Sequence, residues 1–162
     1  MSVDFTRFFD ALAGVGVEYI LIGGAAANVH GSARLTQDVD VVYRRNKENV
    51  AKLVRALAPF HPYLRGAPPG LPFLWDAETI WRGLNFTLIS DLGNFDVLGE
   101  IVGGGGYEAL LPRTVEIEAF GHKLRCIDLP TLIAVKRAAG RPKDFEVIAE
   151  LELLLKGAAD ES

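Results

Sequence analysis

The sequence predicts an α/β (α+β) domain in which a mixed β-sheet is flanked by helices and followed by a C-terminal helix pair at about residues 129–156. Three observations predict it. The run Tyr19–Ile22 is too continuously apolar for a strand with one wet face, and it breaks at Gly23-Gly24. A second apolar strand, built on Val39, Val41 and Val42, carries Asp38 and Asp40 at its start. Segments of helical period and segments of alternating polarity then follow one another with no interdomain linker.

The 162 residues fit one domain, 1–162, and 49% of them are hydrophobic, enough for a real core, which excludes global disorder. A formal net charge of −4 argues against a broad nucleic-acid surface and leaves room only for a local basic patch. The single cysteine, Cys126, lies in an alternating run and reads as a small buried core residue, so there is no disulfide framework. The start, MSVDFTRFF, is charged, and nowhere do about 18 apolar residues run unbroken. The expectation is a cytoplasmic protein with no membrane partner.

Phe5, Phe8, Phe9 and Leu12 recur at helical spacing and predict a helix over Asp4–Ala13, with Ser2 or Asp4 as cap and Gly14 and Gly16 ending it. A strand over Val17–Ile22 follows, then the Gly-Gly step and a short Ala-rich helix. Two successive glycines let backbone amides approach a ligand, and a helix start favours anions, so a triphosphate would suit; a tight turn needing no ligand is the plainer account. His30, at the helix end, reads as a capping or hydrogen-bonding residue. Beyond a turn at Gly31, Thr36 braces the chain, while Arg34 either braces it or reaches a phosphate. In a strand Asp38 and Asp40 point the same way, their Cα atoms ~6.5 Å apart, and can share a divalent ion. Two bare carboxylates heading a buried strand repel each other and resist desolvation; a cation offsets both.

Val50, Leu53, Val54 and Leu57 predict a helix over Asn46–Leu57, capped by Asn46 and closed by Pro59. The segment His61–Pro72 is rich in Pro and Gly and reads as loop or edge structure. Trp75, Ile80 and Trp81 accompany a short helix opened by Asp76, the tryptophans as core or rim packing. Leu84–Ile89 and Phe95–Leu98 form a hairpin around Asp91, Gly93 and Asn94. Asp96 sits inside the apolar run FDVL, where an acid calls for a partner; beside Asp38 and Asp40 it would complete a three-carboxylate cage. Glu100 has the same parity but reads as a solvated strand end. Gly103–Gly106 lacks the trailing Lys-Ser/Thr of a phosphate loop and is expected to be a flexible connection.

Tyr107–Leu111 is a helical turn, and Val115–Ala119 with Lys123–Ile127 a hairpin that extends the sheet. Asp128 caps a helix with Leu132, Ile133 and Val135 on its apolar face; Gly140 stops it, and Pro142 starts a second helix lined by Phe145, Ile148, Leu151 and Leu155. Gly157–Ser162 is expected to fray. Lys136, Arg137, Arg141, Lys143 and Asp144 surround the break, either as a solvated charged turn or with a lysine at the mouth of a phosphate site.

Gly23-Gly24, then Arg34-Leu35-Thr36-Gln37-Asp38-Val39-Asp40, then Asp96, resembles the nucleotidyltransferase superfamily related to DNA polymerase beta. The tail pattern, Leu132–Lys136 with Gly140-Arg141-Pro142-Lys143-Asp144, is similar to small bacterial proteins of the abortive-infection nucleotidyltransferase group, some of which are toxins. The resemblance implies nucleotide phosphates at Gly23 and Gly24, contacted by Lys136 and grouped with Arg34. It implies two Mg²⁺ ions, or Mn²⁺, held by Asp38, Asp40 and Asp96, and an Asp144 that orients Lys136 or the acceptor. The implied reaction moves a nucleoside monophosphate from an NTP to an acceptor hydroxyl on transfer RNA, a protein or a small molecule; a toxin-antitoxin role would add a cognate antitoxin as partner. A Gly-Gly in place of the usual Gly-Ser removes one hydroxyl contact to phosphate. Two other classes share these acids: a catalytically silent nucleotide- or partner-binding module, and a metal-dependent phosphohydrolase or nuclease.

Overall fold

The computed structural model describes residues 3–161. Seven strands form one mixed sheet in the order β3-β4-β5-β2-β1-β7-β6: β1 (Tyr19–Ile22), β2 (Val39–Tyr43), β3 (Tyr63–Leu64), β4 (Asn85–Ser90), β5 (Gly93–Leu98), β6 (Thr114–Ala119) and β7 (His122–Ile127). The centre is the dry part. Ile20, Leu21, Val39, Val41, Val42 and Tyr43 are all fully buried, as their unbroken apolar run requires. The central strand β2 runs antiparallel to β1 and parallel to β5, whereas the hairpins β4–β5 and β6–β7 are antiparallel.

The described residues hold seven α-helices: α1 (Phe5–Val15), α2 (Gly23–Val29), α3 (Lys47–Leu57), α4 (Ala77–Arg82), α5 (Tyr107–Leu110), α6 (Leu129–Ala139) and α7 (Pro142–Glu161). Helix α1 packs on α3 and α3 on α4, while α6 packs on α7 and α2. The caps are those the sequence predicts. Asp4, Asn46, Asp76 and Asp128 each accept a hydrogen bond from the backbone N–H three residues on, at 3.1, 2.7, 2.8 and 2.8 Å. Ser2, the alternative first cap, lies outside the described residues.

Some expectations change. Gly14 lies within α1, and only Gly16, at φ +79°, ends it, because an interior helical glycine costs ~1 kcal/mol, too little to stop a helix with a buried face. Phe145 is 61% exposed although Ile148 and Leu151 of the same helix are buried. Helix α7 continues through the expected fraying point at Gly157. The Gly103–Gly106 segment is a packed turn: Ile101 bridges Gly105, and a Cβ on Gly103 would stand 2.5 Å from Ala138 Cβ of α6.

Asn49 ties α3 to the strand ends. Its side chain, in a residue 1% exposed, accepts from the Glu18 N–H at 2.7 Å and donates to the carbonyls of Glu18 and Arg44, both at 2.9 Å. Asn49→Leu would leave the Glu18 N–H without its acceptor and take one of two donors from the Glu18 and Arg44 carbonyls, which keep the Arg44 and Asn46 N–H groups, and the expected loss is about 1–3 kcal/mol in urea unfolding with no change in fold.

Candidate active site

The pairing of β2 with β5 builds the site. These strands are parallel, with Val39 opposite Phe95, Asp40 opposite Asp96 and Val41 opposite Val97. Period two then fixes the outcome: burying Val39, Val41, Phe95 and Val97 on one face sends Asp40 and Asp96 together to the other. Asp38 immediately precedes β2 and does not lie within it, its side chain 42% exposed.

The glycines are required by what packs against them. Ile22, the last residue of β1, pairs with Asp40, so the chain turns into α2 directly beside that carboxylate. Gly23 adopts φ +69°, and a Cβ there would lie 2.2 Å from Asp40 Oδ2. A Cβ on Gly24 would meet Thr36 Oγ1 at 2.7 Å, and that hydroxyl donates to the Asp38 carbonyl at 3.1 Å. Thr36 is therefore the brace the sequence suggests.

Burial, first, and the carboxylates of Asp96 and Asp38 push the Asp40 carboxyl up to about 7, and the Arg65 charge only partly opposes them. A proton shared with Asp96 relieves the repulsion. From the end of α6, Lys136 reaches the same cleft. Burial lowers its ammonium below the ordinary lysine value against the pull of Asp144, whose Oδ1 is 3.9 Å from Nζ. Asp144 is 3% exposed; burial works to raise its carboxyl, but hydrogen bonds and charge from Arg141, with the Lys136 charge, hold it below the usual range. Arg141 donates to it through Nε at 2.8 Å and Nη2 at 3.3 Å.

A cleft of about 430 Å³ brings Gly23, Asp40 and Asp96 together with Lys136 and Arg141; Leu98, Ile101, Val102, Leu132 and Val135 supply its apolar wall. A smaller recess of about 140 Å³ holds Gly24, Arg34, Thr36 and, again, Lys136. Lys136 thus joins the two. Arg34 points toward α7, 3.6 Å from both Glu146 and Glu150, which is the bracing use of its guanidinium. His30 contacts the Ile127 carbonyl at 2.7 Å, as expected of a hydrogen-bonding helix end. The two tryptophans stay outside the cleft. Trp75 donates to the Val54 carbonyl, and Trp81 lies under Arg45 and Lys47.

Sequence reasoning missed Arg65. It follows β3 in the Pro/Gly-rich segment, and its Nη2 donates to Asp96 Oδ1 at 2.8 Å while Nη1 stands 3.9 Å from Asp38 Oδ2. The only signal was the alternation Tyr63-Leu64-Arg65, too short to read as a strand. The donor chemistry of Asp38, Asp40 and Asp96 suits a hard divalent cation, and the glycine-made space at Asp40 Oδ2 leaves that oxygen approachable. The three do not stand as a finished cage: among the described residues, no group of three or more His, Cys, Asp or Glu side chains is placed to hold an ion. Asp40 and Asp96 form a pair, and Asp38 is drawn toward Arg65.

No family model matches the sequence, and no curated protein matches it. Solved structures do match. The lincosamide antibiotic adenylyltransferase LnuA, in its lincomycin-bound form, superposes with a TM-score of 0.61 at 14% identity, covering 94% of this chain and 98% of its own. The Thermotoga maritima protein TM1012, described as a nucleotidyltransferase, gives a TM-score of 0.50 at 13% identity over 96% of this chain and 91% of its own. The chain has the nucleotidyltransferase fold. No helix of the described residues is long and apolar enough to cross a membrane.

The folded protein keeps the Asp40 proton up to about pH 7, while an unfolded chain releases it near 3.8. Between those values the fold binds more protons than the unfolded chain, so this group's contribution to stability declines as pH rises through the window. Asp40→Asn, an uncharged isostere, should therefore raise the melting temperature in EDTA by roughly 4 °C at pH 8 and by much less at pH 4.5. Gly23→Ala places a methyl on the Asp40 carboxylate at a left-handed backbone position and should cost about 2–4 kcal/mol in urea unfolding.

Proposed function

We propose that this chain is a metal-dependent nucleotidyltransferase that moves a nucleoside monophosphate from an NTP to an acceptor hydroxyl. The observation that carries the reading is that the in-register pair Asp40–Asp96 lines the same cleft as Lys136, one carboxylate pair and one partly buried cation in a single space. The acceptor oxygen attacks the α-phosphorus, the bond from that phosphorus to the bridging oxygen breaks, pyrophosphate leaves, and the acceptor proton passes to the Asp96 carboxylate. Asp38, Asp40 and Asp96 would hold magnesium, or manganese, which when bound neutralises developing charge on the phosphate oxygens. Lys136, held by Asp144, contacts the departing phosphates, and Gly23 and Gly24 keep the backbone side of the cleft clear of side chains.

A small molecule is the favoured acceptor. The 430 Å³ cleft joins acids to an apolar wall, which suits a compact amphiphilic alcohol better than an extended polyanion. The fold neighbour LnuA was solved with lincomycin, a precedent for a small acceptor on this fold. A transfer-RNA end or a protein hydroxyl would be revealed by the same assay, and the toxin-antitoxin role would follow only from such an acceptor.

Incubation with each α-labelled NTP, Mg²⁺ and fractionated cell extract should label one small-molecule fraction and release pyrophosphate. Asp40→Asn and Asp96→Asn should each lower that rate by at least about 10³-fold with the fold intact by circular dichroism, since the charge-neutralising term dominates such transfers. Magnesium-dependent nucleotide binding without label transfer would identify a silent binding module instead, and phosphate release without an acceptor a hydrolase.

A further inference from the structure

Arg65 is the only side chain among the described residues that forms an ion pair with the Asp38, Asp40 and Asp96 set. It enters from the β3 edge of the sheet. Its backbone N–H donates to the Thr87 carbonyl at 3.0 Å, continuing the β3–β4 pairing, and its side chain then crosses β4 and β5. Nη2 donates to the Leu88 carbonyl at 2.8 Å, to the Phe95 carbonyl at 3.3 Å and to Asp96 Oδ1 at 2.8 Å. Nη1 lies 3.9 Å from Asp38 Oδ2, whereas Nε is buried with no acceptor. One nitrogen is thus anchored by two carbonyls and a carboxylate, a second only leans toward Asp38, and the third is unpaired.

That asymmetry decides the role. A guanidinium placed purely to brace Asp96 would present two N–H groups to it in a fork. Here it spans two carboxylates, one firmly and one loosely, as a cation does when it neutralises a site. We infer that Arg65 is a resident counter-ion of the carboxylate set that competes with a divalent cation for Asp96 and Asp38, so that its charge sets how tightly the site takes metal. This rests on the reading of those acids as a cation site. A divalent ion gains more from two carboxylates than a single guanidinium charge does, so the metal wins at sufficient concentration. Nη1 gives way first, because its contact with Asp38 is long and exposed, and Nη2 stays on the backbone carbonyls.

The test is Mn²⁺ binding followed by electron paramagnetic resonance in the absence of nucleotide, on the whole chain and on Arg65→Gln and Arg65→Lys. Arg65→Gln should bind Mn²⁺ about tenfold more tightly, the effect of removing one positive charge a few ångströms from the ion. Arg65→Lys, which keeps the charge but cannot span both carboxylates, should fall between that variant and the wild type. In EDTA Arg65→Gln should unfold at a lower temperature than wild type, and saturating Mn²⁺ should close the gap. Equal or weaker Mn²⁺ binding by both variants would overturn the inference and leave Arg65 as a brace for Asp96. If neither wild type nor either variant binds Mn²⁺, the cation-site reading itself falls, and the counter-ion role with it.

Discussion

The register between β2 and β5 is the constraint on which the site depends. A one-residue slip of either strand would turn its aspartate onto the face packed by Val39, Val41, Phe95 and Val97, so the same apolar packing that holds the sheet together also holds Asp40 against Asp96. The packing energy comes from Val39, Val41, Phe95 and Val97, and the carboxylates of the candidate site are the alternate residues of the same two strands. A raised Asp40 carboxyl is the electrostatic cost of this arrangement, and burial is its largest cause.

The surrounding residues make sense as answers to that concentration of negative charge. Gly23 clears room for the Asp40 carboxylate, and Thr36 holds the Asp38 backbone over Gly24. Arg65 comes from one side and Lys136 from the other, each with its own anchor: backbone carbonyls for the arginine, Asp144 for the lysine. Asp144 in turn is satisfied by Arg141, which sits in the break between α6 and α7, and this explains why a charged cluster at a helix junction includes a residue only 3% exposed. Buried charge of this kind persists only when it is paired, and one member of each pair, Asp96, Lys136 or Arg141, lines the same cleft.

Much of this was legible in particular residues. Asp40 stood out as an acid in an apolar strand, Asp96 as an acid inside an apolar run, and the helix caps as an Asn or Asp at the head of an amphipathic run, whereas the shared face expected of Asp38 and Asp40 assumed a strand that begins only at Val39. The failures share one physical cause. Gly14 and Gly157 were judged by local preference, yet packing elsewhere on α1 and α7 carried both helices past them, and Phe145 was judged by helical spacing alone although it lies exposed on α7. Gly103–Gly106 looked flexible because its partner, Ala138, is more than thirty residues away.

By itself the sequence determined the strand alternation, the helix ends and the chemical kinds of residue at the site, because each is a matter of spacing within a few residues. Only the tertiary structure decided that β5 lies parallel to β2 with Asp96 opposite Asp40, and that Arg65 crosses two strands to reach them. Those are contacts between residues 31 and 56 positions apart along the chain, and no local preference encodes which of several apolar strands will lie beside which; burial of the whole sheet settles it.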